Sequence, residues 1–144
     1  MSAITATEPK TPWHVWLVAT LALLWNGSGT YTIMMAQAAR LPSLSQDEAA
    51  YYAAQPFWFV IATDIGLLSV LAAGVALLLR SRVAVQLFGL SLVAIFITNT
   101  YDLAAGTSRV LVSRGALIVT VIIGVIAILE LVYARAMRKR GVLN

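Results

Sequence analysis

Phe57-Trp58-Phe59-Val60-Ile61-Ala62-Thr63-Asp64-Ile65-Gly66-Leu67-Leu68-Ser69-Val70-Leu71-Ala72-Ala73-Gly74-Val75-Ala76-Leu77-Leu78-Leu79 is the stretch whose reading decides the fold. It holds one ionisable side chain, Asp64, and no strand-like alternation. A helix rises about 1.5 Å per residue, so about 20 apolar residues cross a hydrocarbon layer about 30 Å thick. This run is long enough. Pro56 precedes it and the basic turn Arg80-Ser81-Arg82 follows it. Three further runs fit the same description: Trp13 to about Met35, Val83 to about Leu103, and about Val110 to Ala134. The expected fold is all-α, an integral membrane antiparallel four-helix bundle. It spans residues 13–135, with a polar tail over 1–12 and a basic tail over 136–144.

Composition agrees. Hydrophobic residues make up 60% of the 144-residue chain and charged residues 11%, with a mean hydropathy of +0.87. A soluble domain carries about 25% charged residues because its surface needs them. There is no cysteine, which excludes disulfides, thiolate metal sites and cysteine nucleophiles. The net charge of +4 gathers at helix ends, a topological signal rather than a nucleic-acid surface. The polar lead contains Glu8 and no short apolar segment closes on a small-residue cleavage site, so the first run reads as a retained helix.

Lys and Arg set the orientation. Lys10, Arg80, Arg82, Arg135, Arg138, Lys139 and Arg140 fall on one side. Arg40, Arg109 and Arg114 fall on the other, mixed with Asp47, Glu48 and Asp102. The positive-inside rule then puts both termini in the cytoplasm of a bacterial inner-membrane protein, with the loop between the first two runs in the periplasm. That loop contains Ser45-Gln46-Asp47-Glu48, a capping-box pattern, followed by Tyr51 and Tyr52. It predicts a short helix along the outer interface.

Helices associate in lipid through small residues and polar contacts. Each run carries a row at alternating three- and four-residue steps. The rows are Ala19-Ala22-Asn26-Gly29-Ile33-Ala36, Ala62-Gly66-Ser69-Ala73-Ala76, Ala84-Leu87-Ser91-Ala94-Thr98-Tyr101 and Ala116-Thr120-Gly124-Ala127-Leu131-Ala134. That spacing fits a left-handed bundle with shallow crossings. The short basic turn makes the second and third helices antiparallel neighbours.

Trp25-Asn26-Gly27-Ser28-Gly29-Thr30-Tyr31 puts polar and small residues where lipid favours leucine. Counted along the helices, Asn26, Ser28, Thr30 and Tyr31 fall at depths comparable to Asp64 on the second helix and Asn99 on the third. Tyr101, Asp102 and Arg114 fall nearer the outer surface. Together these nine residues form a candidate ligand-binding pocket open to the periplasm, because intramembrane ionisable groups are costly and are functional candidates by default. Structural readings stand beside it. Asp64 pairs with Arg114 or hydrogen-bonds to Asn26, Asn99 and Asp102 are simply hydrated, and Glu130 bonds Arg80 or Arg82.

Several chemistries are excluded or disfavoured. His14 is the single histidine, so one chain cannot supply two to a haem or a cluster to zinc. No histidine stands by to activate Ser28, and Gly27-Ser28-Gly29 inside a helix is not a phosphate loop. No cofactor or metal is expected, and the chain is not read as an enzyme. Arg135 to Arg140 reads as a stop signal at the membrane surface, with contact to anionic lipid as the alternative.

Leu24-Trp25-Asn26 with Gly29, Pro56 and Trp58 entering the second helix, the Arg80/Arg82 turn and the basic C-terminal segment carry a resemblance. Over nearly its whole length the chain resembles a group of small, uncharacterised four-helix bacterial inner-membrane proteins, some of them loosely labelled sugar-transporter-like. The resemblance implies topology. Two functions follow as expectations. One is an accessory or scaffold subunit of a larger membrane complex, whose partners are the bilayer and another membrane protein or a second copy of itself. The alternative is a small transporter or solute-binding protein using the outer polar pocket for a small molecule.

Overall fold

The structure is a computed structural model that describes residues 11–105 and 114–144, with the backbone alone for 114–117. Among these residues the regular elements are all helices: α1 (Trp13–Gln37), α2 (Gln46–Ala53), α3 (Phe57–Leu78), α4 (Val83–Ala105) and α5 (Arg114–Lys139). Pro12 and Pro56, both extended, start α1 and α3, and their carbonyls accept the first helical amides from Val15 and Phe59.

Three helices, α3, α4 and the Ile118–Lys139 part of α5, are long and apolar enough to cross a membrane. They identify a membrane protein. α1 has the length, with 25 residues spanning about 37 Å. Its second half is too polar to qualify on composition, because Asn26-Gly27-Ser28-Gly29-Thr30-Tyr31-Thr32 interrupts the apolar run. The last run was expected to open near Val110, and residues 110–113 lie outside those described.

Antiparallel packing follows from the close approaches. Leu23 of α1 meets Gly74 of α3, while Gly27 faces Leu71. Gly66 of α3 sits against Ala94 and the Ser91 carbonyl of α4, while Trp58 and Phe59 stack on Tyr101. α5 lies against α4 and reaches α1 through side chains. The main core cluster gathers at the end bearing the α3–α4 turn. It includes Val15, Ala19, Val70, Ala73, Leu77, Phe88, Leu131, Ala134, Met137 and Leu143. The opposite half, capped by α2, buries far less. Every residue of α5 from Ile118 to Ile123 is exposed.

The stretch read as a basic tail from 136 onward is structured. α5 runs to Lys139 and closes in a Schellman turn. Gly141 adopts φ 71°, the Val142 amide donates to the Met137 carbonyl, and the Gly141 amide donates to the Arg138 carbonyl. The chain then folds onto the α3–α4 turn. The Asn144 amide donates to the Arg80 carbonyl at 2.7 Å, and the Arg82 amide donates to the Asn144 carbonyl at 3.0 Å. The Nε groups of Arg80 and Arg82 bind the carbonyls of Val142 and Leu143. Leu143 is completely buried.

Candidate functional site

A carboxyl group lies inside the bundle. Glu130, on α5, is 8% exposed, and its Oε1 accepts a hydrogen bond from Asn26 Nδ2 at 2.7 Å. The same Asn26 amide nitrogen donates to the Ala22 carbonyl at 2.9 Å. Both amide hydrogens are thus used and the side chain's orientation is fixed. This bond replaces two readings of the sequence. Asn26 binds Glu130 rather than Asp64, and Glu130 binds Asn26 rather than Arg80 or Arg82, whose Nε groups hold the C-terminal segment.

The level of this pair is polar across the whole bundle. Gly27 faces Leu71, so Thr30, one turn on, stands level with the Gly66–Ser69 turn of α3. Gly66 abuts the Ser91 carbonyl of α4. Leu92 and Ile128, neighbours of Ser91 and Glu130 in the chain, line the same α4–α5 groove. Among the described residues, Thr30, Ser69, Ser91 and Glu130 are four of the five buried polar ones, Thr98 being the fifth. Glu130 Oε2, Thr30 Oγ1 and Ser91 Oγ are sealed from solvent and have no hydrogen-bond partner. Four hydroxyls elsewhere in these helices bond their own backbone. Ser28 bonds the Trp25 carbonyl, Thr32 bonds Ser28, Thr98 bonds Ala94, and Thr100 bonds Phe96.

Along the α1–α5 seam the two helices are tied twice. Near the C-terminal end of the bundle, His14 Nδ1 and Tyr133 Oη lie 2.6 Å apart, and the Asn26–Glu130 bond follows. Beyond it the seam opens. Gly29, one turn from Asn26 on the same side of α1, has no atom within contact of where a Cβ would stand. Farther along α5, residues Ile118 to Ile123 are exposed.

The other sequence candidates are dispersed. Ser28 and Tyr31 face away from the helices, Tyr31 being 63% exposed. Asp64 is seven residues from Leu71 and so lies on the α1-facing side of α3, two turns nearer α2. Its Oδ1 and the neighbouring Thr63 Oγ1 are buried without partners. Asn99 lines the α4–α5 groove, about 300 Å³, with Gly124 and Ile128. The Arg114 side chain lies outside the described ones. Tyr101 and Asp102 belong to a second cavity of about 260 Å³ under α2, shared with Asp47, Tyr51 and Gln55. There the Tyr51 hydroxyl donates to Asp102 Oδ2 at 2.8 Å. Burial, and then the Asp102 carboxylate, push the Tyr51 phenol well above its ordinary value, so it serves as a donor.

Of the eight candidates whose side chains are described, Asn26 and Thr30 alone join this layer. Sequence reasoning assigned Glu130 to the basic end, yet its spacing from two members of the α5 small-residue row, three residues from Ala127 and four from Ala134, was the signal that it lies on the same side of the helix. No group of three or more His, Cys, Asp or Glu residues able to hold a metal occurs among the described residues. Comparison with protein families, curated proteins and solved structures returns no match, so the chain's own residues carry the functional reading.

Proposed function

We propose that this chain is an accessory or scaffold subunit of a larger membrane assembly. In this reading it is a bacterial inner-membrane protein with both termini in the cytoplasm, α1 as a fourth crossing beside α3, and α2 on the periplasmic face. The opened α1–α5 seam is the observation that carries it. Beyond Asn26–Glu130, α1 offers Gly29 with nothing against it, and α5 is bare from Ile118 to Ile123. Small residues that let backbones approach are how helices associate in lipid. A polar, glycine-containing half-helix is a better fit to a neighbouring helix than to acyl chains. The grouping of Arg80, Arg82, Arg135, Arg138, Lys139 and Arg140 at one end supports the orientation.

The chain has no cysteine, so single-cysteine cross-linking in native membranes tests this directly. Gly29→Cys and Ile122→Cys are expected to trap a partner of one reproducible mass. Phe96→Cys, exposed on α4, is expected to trap none. Equal or absent trapping at all three positions would overturn the reading.

A second reading, solute binding, is favoured by one observation. Beside the opening, Thr30 Oγ1 and Glu130 Oε2 have unused hydrogen-bonding capacity, and Asn26 holds Glu130 in place. It expects an empty seam in cross-linking and uptake into proteoliposomes that Asn26→Ala abolishes. Uptake unchanged by that substitution would count against it.

A further inference from the structure

We propose that Glu130 is an intramembrane proton-binding site, its Oε2 taking up and releasing a proton carried by water in the polar layer between the helices. The inference goes beyond the accessory-subunit reading and rests only on the chain's being a membrane bundle.

Charge balance comes first. An ionised carboxylate in a hydrocarbon setting needs a counter-charge, and such groups ordinarily pair. Neither Lys nor Arg occurs within α1, α3 or α4. In α5 the basic residue nearest Glu130 is Arg135, exposed and five residues on, which turns it to another face. Its one hydrogen-bond partner, Asn26, is neutral, and so are the buried polar residues of the other helices near this level, Thr30, Ser69 and Ser91. Titratable groups flank the layer without joining it. His14 and Tyr133 bond each other toward the basic end, while Asp64 and then Asp102 lie toward α2. The available counter-charge is a proton. A divalent cation calls for more anionic oxygens than this one carboxylate supplies.

Hydrogen-bond accounting comes second. Asn26 occupies Oε1, which leaves Oε2 as the oxygen that changes state. Deprotonated, Oε2 needs a donor; protonated, it is a donor that needs an acceptor. Thr30 Oγ1 and Ser91 Oγ, unpartnered at the same level, are each able to donate or accept. Three sealed oxygens in one layer are the footprint of internal water, which bridges groups that do not reach one another. Uptake is then a simple transfer: an excess proton from the aqueous phase arrives on water as hydronium and passes to Oε2, leaving neutral water, and release runs the same step backwards.

Infrared difference spectroscopy of the full chain in lipid vesicles, between acidic and alkaline buffer, tests this. The expected result is a protonated-carboxyl C=O band that grows on acidification, moves in D₂O and vanishes in Glu130→Gln. It should persist in Asp64→Asn. In Asn26→Leu the band should shift to higher frequency, because the hydrogen bond to Oε1 is gone, and a purely structural role for Glu130 would produce no such titrating band. A band absent from the parent protein, unchanged with pH, retained in Glu130→Gln, or unshifted in Asn26→Leu would overturn the assignment.

Discussion

At the scale of single residues, three glycines on two helices make different demands. A Cβ at Gly66 would stand 2.9 Å from the Ala94 Cβ, an atom fixed to its own backbone. Gly66→Ala must therefore part α3 from α4, at a cost of about 1–3 kcal/mol of overpacking. A Cβ at Gly74 would meet Leu23 Cδ2 at 2.7 Å, the end of a side chain that can rotate, so Gly74→Ala should cost less. At Gly29 a Cβ meets nothing, and Gly29→Ala should be neutral or gain up to about 1 kcal/mol of helix propensity. Unfolding in mixed micelles should rank the variants in that order. A Gly29→Ala as damaging as Gly66→Ala would show that the seam is closed. The row of small residues through each run anticipated Gly66, Ser69, Ser91 and Ala127 as inward-facing, and they are buried or nearly so. Depth counted along a helix could not tell Asn26 which neighbour to bond. Asp64 was the carboxylate weighed for it, while Glu130 was given to the basic turn, and only the azimuth of the neighbouring helices decides for Glu130.

Among the elements, α2 was the most legible, because its capping box is a local device independent of tertiary context. Ser45 Oγ receives the Glu48 amide at 3.3 Å and the Ser45 amide donates to Glu48 Oε2 at 2.9 Å. The Ser45 hydroxyl, donating to the same oxygen at 2.7 Å, is the larger influence holding the Glu48 carboxyl below its ordinary 4.5, with the Ser45 amide next. A depressed carboxyl supports the fold while ionised. The cap is therefore complete above the ordinary carboxylate value and is lost as pH falls through the lower folded one. Amide exchange across Ala49–Ala53, corrected for intrinsic rates, should stay slow at neutral pH and quicken in that acid window. Ser45→Ala should quicken it at neutral pH too, by about 1 kcal/mol of local stability. Exchange that ignores both acid and substitution would mean that α2 is held by its packing alone. Helix ends elsewhere were less legible. Ala39 and Arg80 take positive φ to close α1 and α3 in the same turn that Gly141 gives α5, and neither residue type announces that conformation.

The whole molecule is tight at one end and open at the other. Hydropathy located the runs because length and apolarity are properties of a segment. It falls short on α1, whose polar half lowers the average although the helix continues to Gln37. The α3–α4 neighbourhood was legible from a turn too short for any other arrangement. The parting of α1 from α5 beyond Asn26–Glu130 was not, since it depends on packing between segments far apart in the chain. Orientation is testable at this scale. With cysteine absent from the parent chain, Gln46→Cys on α2 and Ser81→Cys in the basic turn should react with a membrane-impermeant maleimide from opposite sides. In intact spheroplasts Gln46→Cys should label at once and Ser81→Cys only after permeabilisation. The reverse pattern would invert the proposed topology.

The strap of Val142 to Asn144 across Arg80 and Arg82 has a meaning in time as well as in space. The turn it pins is made about sixty residues earlier, so during synthesis the α3–α4 hairpin leaves the ribosome with those backbone groups still facing water. The hairpin can dock early, but its join stays provisional until residues 142–144 have been made. Translation that stalls within α5 should thus leave a hairpin recognisable to quality-control proteases by its unstrapped turn.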